Sequence, residues 1–162
     1  MKRRLWLCAL AGCVLMSAAG CAASDPAAPV VRGADATIQT VAVTDAEGSS
    51  FAGWPEAGAD ALTYVPSGET LRLEFPGEAP DTVEIRDTLL NADGSSKYAA
   101  SATQTYAATK KDEAFYMALE PHPAAYLSSD SKDYEKGASY RGLQLVCRWG
   151  DTESAYAFAV RS

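Results

Sequence analysis

The sequence is poor in the side chains from which most metal and nucleophilic sites are built. Among 162 residues it has one histidine, His122, and four cysteines. Cys8, Cys13 and Cys21 lie within the first 21 residues, so the rest of the chain offers one histidine and one cysteine, too few for the four ligands of an ordinary structural zinc site. The sequence also lacks the H-E-x-x-H pattern of zinc peptidases and the G-x-S-x-G turn of serine hydrolases. We therefore predict no metal site and no cofactor.

The sequence also lacks an apolar run long enough to span a membrane. Its longest candidate extends from Leu5 to about Met16, whereas a spanning helix needs about 20 apolar residues. Lys2, Arg3 and Arg4 precede this run, and small residues follow it. Basic, apolar and small residues in that order are typical of a secretory signal, so we predict a signal peptide over residues 1–20.

The end of this segment carries a cysteine that ordinary secretion does not need. Ala18-Ala19-Gly20-Cys21 resembles the bacterial lipobox, which implies cleavage before Cys21 and a diacylglyceryl group on its sulfur. Two acyl chains anchor a protein stably, so the expected location is the outer face of the cytoplasmic membrane. The segment Leu10–Cys13 also fits a lipobox, but only a short apolar run precedes it. The alternative is a secreted protein in which Cys21 is incidental.

The remaining cysteine is predicted to be a buried, unreactive thiol. Removal of the signal peptide takes Cys8 and Cys13, and acylation uses Cys21, so Cys147 has no partner for an internal disulfide. Cys147 lies on the same face of a predicted strand as Leu143 and Leu145, two and four residues before it. Free cysteine at such positions behaves as a small buried hydrophobe.

The charge balance excludes one class of partner. The formal net charge is −7, and loss of Lys2, Arg3 and Arg4 takes it to −10. An acidic chain without a basic patch repels phosphate backbones. We therefore predict no nucleic-acid partner.

The mature chain divides into a tether and one domain. Residues 22–36, "AASDPAAPVVRGADA", are small, polar and proline-containing, a composition typical of flexible linkers. Residues 21–36 are accordingly predicted to be the lipidated cysteine and a linker, and residues 37–162 to be the folded domain.

The domain is predicted to be all-β. Short runs of alternating or β-branched residues are separated by Gly, Pro, Asn and Asp, and no long helical period interrupts them. The spacing predicts seven or eight short strands in an antiparallel, immunoglobulin-like β-sandwich. The predicted strands are 37–45, 62–65, 70–75, 82–90, 97–106, 114–119, 140–149 and 154–161, and the polar segment 124–137 is expected to contain one helical turn.

Two segments of this pattern resemble a known group of proteins. Residues 80–98 and 140–161 are similar to uncharacterised domains of Firmicutes surface lipoproteins. They are also similar to the extracytoplasmic C-terminal domains of sensors of the metallopeptidase antirepressor type. The resemblance implies a Gram-positive envelope setting and a sensing role for a ligand or partner, and it assigns no functional residue.

His122 is the one side chain that suggests catalysis. A hydrolase could use it as a general base. However, it lies between Pro121 and Pro123, and the sequence shows no motif that pairs it with an acidic residue to orient the ring. We therefore expect an exposed loop histidine. Asp130, Asp133 and Glu135 could bind calcium weakly, but we interpret them as a solvated acidic loop.

Three aromatic residues fall in predicted loops and are the candidate ligand contacts. They are Trp54, Tyr126 and Tyr134. Exposed rings stack on sugars or anchor protein partners, and the alternative is packing over the edge of the sandwich. The sequence thus predicts a non-catalytic binding or interaction module whose partner is an envelope protein or a glycan. The alternatives are a carbohydrate- or cell-wall-binding module and a hydrolase that uses His122.

Overall fold

The computed structural model describes residues 27–43 and 50–162, which contain ten β-strands, four short 3-10 turns and no α-helix. No helix within this part of the chain is both long and apolar enough to cross a membrane. The predicted signal peptide and Cys21 lie outside the described residues. The strands are β1 (Val30–Arg32), β2 (Thr37–Gln39), β3 (Val41–Ala42), β4 (Thr70–Glu74), β5 (Thr82–Leu90), β6 (Gln104–Ala107), β7 (Thr109–Lys111), β8 (Ala114–Ala118), β9 (Tyr140–Trp149) and β10 (Thr152–Arg161).

The strands form two five-stranded antiparallel sheets that pack face to face, so the predicted β-sandwich is confirmed. One sheet has the order β2-β1-β4-β8-β7, and the other has the order β3-β10-β9-β5-β6. The chain changes sheets between β6 and β7 with only Ala108 between them. These two strands therefore form neighbouring edges of the two layers.

The centre of the second sheet is built from the three longest strands, because their apolar residues alternate over the greatest length. In β5 and β9, Val83 lies opposite Cys147 and Ile85 lies opposite Leu145. A strand places alternate residues on one face, so all four side chains point into the sandwich and are buried. The predicted bounds of β5 and β9 are confirmed.

The first sheet supplies the other half of the core. Leu71 and Leu73 of β4 lie opposite Met117 and Phe115 of β8, and all four side chains are buried. Their alternation with Arg72 and Tyr116 explains why one face of this sheet is buried and the other is not.

The sandwich begins earlier than the sequence predicts. Val31, within the predicted tether, is fully buried in β1, and β1 pairs with both β2 and β4. The linker prediction is therefore wrong from Val30 onward. A three-residue strand shows too little alternation to stand out among proline, glycine and alanine.

Three other predicted strands are divided, absent or shorter than expected. Within the described residues, the strand predicted over 37–45 consists of β2 and β3, which belong to different sheets. Residues 62–65 form no strand, and Tyr64 makes only an isolated bridge to Arg161. The predicted strand 97–106 contains a 3-10 turn at Ala100–Ala102 and becomes a strand only at Gln104. The polar segment holds two 3-10 turns, Pro123–Leu127 and Ser131–Tyr134, rather than one.

Candidate functional site

A cavity of about 430 Å³ lies between the sheets, beside the edge strand β6 and the end of β8. We call it the inter-sheet cavity. Its wall is largely apolar and aromatic, and its polar groups come from β5, β6, β9 and the loop after β8. The lining residues are Asp87, Gln104, Tyr106, Ala107, Thr109, Tyr116, Met117, Ala118, Glu120, Pro121, His122, Pro123 and Arg141.

An ion pair between Asp87 and Arg141 forms the floor of this cavity. Asp87 continues the inward-facing positions Val83 and Ile85 of β5, and it lies opposite Leu143, two residues after Arg141 on β9. The two charged side chains are therefore diagonal neighbours on the inner face. Their exposed fractions are 1% and 2%. Arg141 Nε donates to Asp87 Oδ1 at 3.2 Å, and Arg141 Nη2 donates to Asp87 Oδ2.

Two buried polar atoms beside this pair lack a hydrogen-bond partner within the described residues. They are Arg141 Nη1 and the hydroxyl of Tyr106. Tyr106 lies directly opposite Ile85 in the sheet, so its ring faces the interior. Burial raises the pKa of Tyr106 to about 12, and the charge of Asp87 adds to the shift. The phenol is thus protonated at neutral pH, and both atoms are hydrogen-bond donors.

His122 is buried, with 3% of its surface exposed, so the prediction of an exposed loop histidine is wrong. Its Nδ1 accepts a hydrogen bond from the backbone N–H of Ala124 at 3.2 Å, and its Nε2 lies 3.2 Å from the backbone oxygen of Asp87. The first bond requires an unprotonated Nδ1, so Nε2 carries the proton and donates it to that oxygen. Neither ring nitrogen retains a free lone pair for general-base catalysis.

A second cavity of about 250 Å³ adjoins the first. The two share Pro121, His122 and Arg141. Tyr126 and Tyr134 lie on its rim, where 66% and 51% of their surfaces are exposed. The Tyr134 hydroxyl donates to the backbone oxygens of Ser128 at 2.5 Å and of Tyr126 at 3.2 Å, so the two rings are held on one surface.

Trp54, the third predicted contact residue, lines neither of these cavities. Its ring is half-buried and meets the ring of Tyr140 edge-on, with centroids 5.9 Å apart. Gly94 lies so close that a Cβ there would stand 2.7 Å from Trp54 Cγ. Trp54 therefore has the packing role that the sequence left as its alternative.

The acidic segment is held by protein contacts. Asp130 accepts a hydrogen bond from the backbone N–H of Lys132 and caps a 3-10 turn. Asp133 accepts a hydrogen bond from Lys97 Nζ at 2.6 Å, and this bond lowers the pKa of Asp133. Across residues 27–43 and 50–162, no three His, Cys, Asp or Glu side chains are grouped so as to hold a metal ion.

Cys147 is fully buried, as the strand pattern predicts. Burial raises the pKa of its thiol to about 12. The thiolate, which is the reactive form, is therefore strongly disfavoured in the folded protein.

Asp87, Arg141 and Tyr106 were not among the site residues predicted from the sequence. For the first two a signal was present, because each is a charged residue at an inward-facing position of an alternating strand. Such a position is costly for an unpaired charge, so the pattern indicates a buried pair. Tyr106 carries no comparable signal, because it lies in a weakly alternating segment.

Comparisons of the chain with protein-family models, with curated proteins and with solved structures gave no match. The case for a function therefore rests on the geometry of the two cavities and on the sequence signals.

Proposed function

We propose that this chain is a lipid-anchored, extracytoplasmic, non-catalytic binding domain that takes a small ligand into the inter-sheet cavity. The observation that carries the proposal is the cavity itself. Small-molecule sites measure about 300–1,000 Å³ and combine apolar walls with a few placed polar groups. The inter-sheet cavity has about 430 Å³ and a wall of this kind.

We also propose that the sandwich is of the immunoglobulin-like kind. An immunoglobulin domain has strands A-B-E-D in one sheet and G-F-C in the other. The orders β1-β4-β8-β7 and β10-β9-β5 correspond to these when β1 is taken as strand A. In this assignment β6 occupies the place of the strand that extends the second sheet in variable-type domains.

The non-catalytic assignment is supported by the state of the groups that could act on a substrate. Both ring nitrogens of His122 are engaged, the carboxylate of Asp87 is held by Arg141, and the thiol of Cys147 is buried. Fold alone does not assign function, so these particular side chains are what favours binding over hydrolysis.

The proposed lipid anchor is supported by the resemblance to a lipobox, and substitution of Cys21 tests it. We expect metabolic labelling with a radioactive fatty acid to mark the wild-type chain, and the Cys21→Ser variant to lose the label. Membrane sedimentation should show a matched loss of attachment, whereas Cys13→Ser should behave as wild type. Attachment of Cys21→Ser equal to that of wild type would contradict the anchor.

Binding in the cavity is tested with the full chain reconstituted in lipid nanodiscs. The chain has three methionines, and one of them, Met117, lines the cavity. We expect a bound small molecule to move the Met117 methyl resonance, assigned with Met117→Leu, and to raise the unfolding temperature. A ligand at 100 times its dissociation constant adds about 2.7 kcal/mol of stability. An unmoved Met117 resonance across a broad panel of small molecules would overturn the proposal.

A second candidate, a carbohydrate- or cell-wall-binding module, is favoured by the exposure of Tyr126 and Tyr134 beside the smaller cavity. Exposed rings of this kind stack on sugars. We expect cell-wall glycan fragments to lose affinity with Tyr126→Ala and Tyr134→Ala, and to keep it with Tyr98→Ala, which lies outside the cavity. Glycan binding that survives both loop substitutions would exclude this surface.

A further inference from the structure

We propose that the inter-sheet cavity selects an uncharged, largely apolar molecule that presents one oxygen acceptor to Arg141 and Tyr106. This inference rests on the proposed binding function and names the class of ligand. Its basis is a pair of unsatisfied donors on the lining of one cavity, together with the charges around them.

Two buried hydrogen-bond donors on the cavity lining have no partner among the described residues. Arg141 Nη1 and the Tyr106 hydroxyl are the two buried side-chain atoms without a partner in the described part of the chain. Buried polar groups in native proteins are nearly always hydrogen-bonded, and each unsatisfied one is costly. Both residues line the inter-sheet cavity, so an acceptor on a bound molecule would satisfy donors that the protein leaves free.

The chemistry of the two groups fixes the polarity of the contact. A guanidinium has only donors, and it does not lose its proton in proteins. The Tyr106 phenol is held in its protonated form by burial, and it offers its hydrogen to an acceptor. A ligand that brings only donors, such as an ammonium group, can donate to the Tyr106 oxygen but leaves Arg141 Nη1 unsatisfied.

The surrounding charges select a neutral acceptor. Asp87 neutralises Arg141 through two hydrogen bonds, and Glu120 adds a negative charge on the cavity lining. A carboxylate ligand would therefore meet a net negative environment, because the one positive charge is already paired. Tyr106, Met117 and the prolines Pro121 and Pro123 supply most of the apolar wall.

Four probes of similar size separate these properties. Acetophenone carries a neutral carbonyl, ethylbenzene carries no polar atom, benzoate is an anion, and benzylamine is a cation. Each is titrated into the full chain in nanodiscs, with empty nanodiscs as the partitioning control, and binding is followed by the Met117 methyl resonance. We expect acetophenone to bind at least about 5-fold more tightly than ethylbenzene, because one hydrogen bond of about 1 kcal/mol already gives that ratio and two donors are present. Benzoate and benzylamine should bind more weakly than acetophenone.

Tyr106→Phe tests the donor directly. We expect this variant to lose part of the preference for acetophenone, because Arg141 Nη1 remains as a donor, while its affinity for ethylbenzene stays the same. Tyr140→Phe is the matched control, because it removes a phenol outside the cavity and should keep the preference. Tyr106→Phe should unfold at the wild-type temperature or above it without ligand, since the hydroxyl that it removes has no partner.

The outcomes separate the inference from the function on which it rests. Equal affinity for acetophenone and ethylbenzene, tighter binding of benzoate, or an unchanged preference in Tyr106→Phe would overturn the ligand class and leave the binding function intact. A Met117 resonance that none of the four probes moves would overturn both.

Discussion

The interior of the sandwich has two contrasting halves, although the same two strands run through both. In one half, Val83 and Ile85 of β5 face Cys147 and Leu145 of β9, and every side chain is apolar and buried. In the other half, the same face of β5 and β9 carries Asp87 and Arg141. The first half is packed closed, and the second borders the inter-sheet cavity. Buried polar groups weaken a core unless they are satisfied, and in this half Asp87 and Arg141 satisfy most of each other's hydrogen-bonding groups.

The largest change in stability is expected when the ion pair between Asp87 and Arg141 loses one partner. Arg141→Met leaves the carboxylate of Asp87 buried without its partner, and we expect a loss of about 3–5 kcal/mol in the free energy of unfolding. The double variant Asp87→Leu/Arg141→Met should recover most of it, because replacing both members of a buried pair with apolar residues removes the unpaired charge. Urea unfolding of the full chain measures both. Wild-type stability of Arg141→Met would show that Asp87 and Arg141 do not form a buried ion pair.

The apolar half of the core is tested by a substitution that leaves a cavity. Leu145 is fully buried, and Leu145→Ala is expected to lower the free energy of unfolding by about 3 kcal/mol. Leu127→Ala is the matched control, because 71% of the Leu127 surface is exposed and such substitutions stay within about 0.5 kcal/mol. Equal stability of the two variants would show that Leu145 does not pack in the core.

The pH dependence of stability sharpens the comparison on the alkaline side. The pKa of Cys147 is raised from 9.0 to about 12, so the unfolded chain loses this proton at a lower pH than the folded protein does. Stability is therefore full below pH 9 and falls by up to about 1.4 kcal/mol per pH unit above it. Tyr106 adds to the fall between its ordinary pKa of 10.0 and about 12.

Chemical unfolding at pH 8 and pH 10 measures this slope, with Cys147→Ala as the control in which the thiol contribution is absent. We expect the variant to lose less stability than wild type over that interval. An identical decline in both proteins would mean that the thiol titrates normally in the folded state.

The smallest effect belongs to an ion pair outside both halves. Arg148 and Glu153 join the two strands of the C-terminal hairpin at 2.8 Å, and about half of each side chain is exposed. Exposed pairs contribute roughly 0–1 kcal/mol, so Glu153→Gln should change stability by less than about 0.5 kcal/mol. A loss comparable to that of Arg141→Met would show that burial does not separate the two pairs.

The sequence was most informative where alternation was long. The strand over residues 82–90 and the hairpin of β9 and β10 were predictable because large apolar residues recur at every second position over several residues in each strand. β1, β3 and β7 have two or three residues each, which is less than one convincing repeat. β3 pairs with β10, far along the chain, whereas β1 and β7 pair with the next strands, β2 and β8, through ladders of only three residues.

The site was less predictable than the fold. Asp87 and Arg141 were visible as charges at inward-facing positions, but their contact requires the register of strands more than fifty residues apart. The burial of His122 depends on the backbone of Asp87 and on the turn at Ala124, and neither is encoded next to the histidine. Tyr126 and Tyr134 were predictable as exposed loop residues, whereas the packing of Trp54 against Tyr140 was not.

The way in which the chain enters the sandwich has a mechanical consequence. β1 is an inner strand of its sheet, with β2 on one side and β4 on the other, and the Thr40 hydroxyl donates a hydrogen bond to the backbone oxygen of Pro29 just before it. Tension applied along the residues that precede Val30 therefore loads two ladders of hydrogen bonds at once. A pull from that side acts on a strand that is paired with both β2 and β4 and not on a free edge of the sheet.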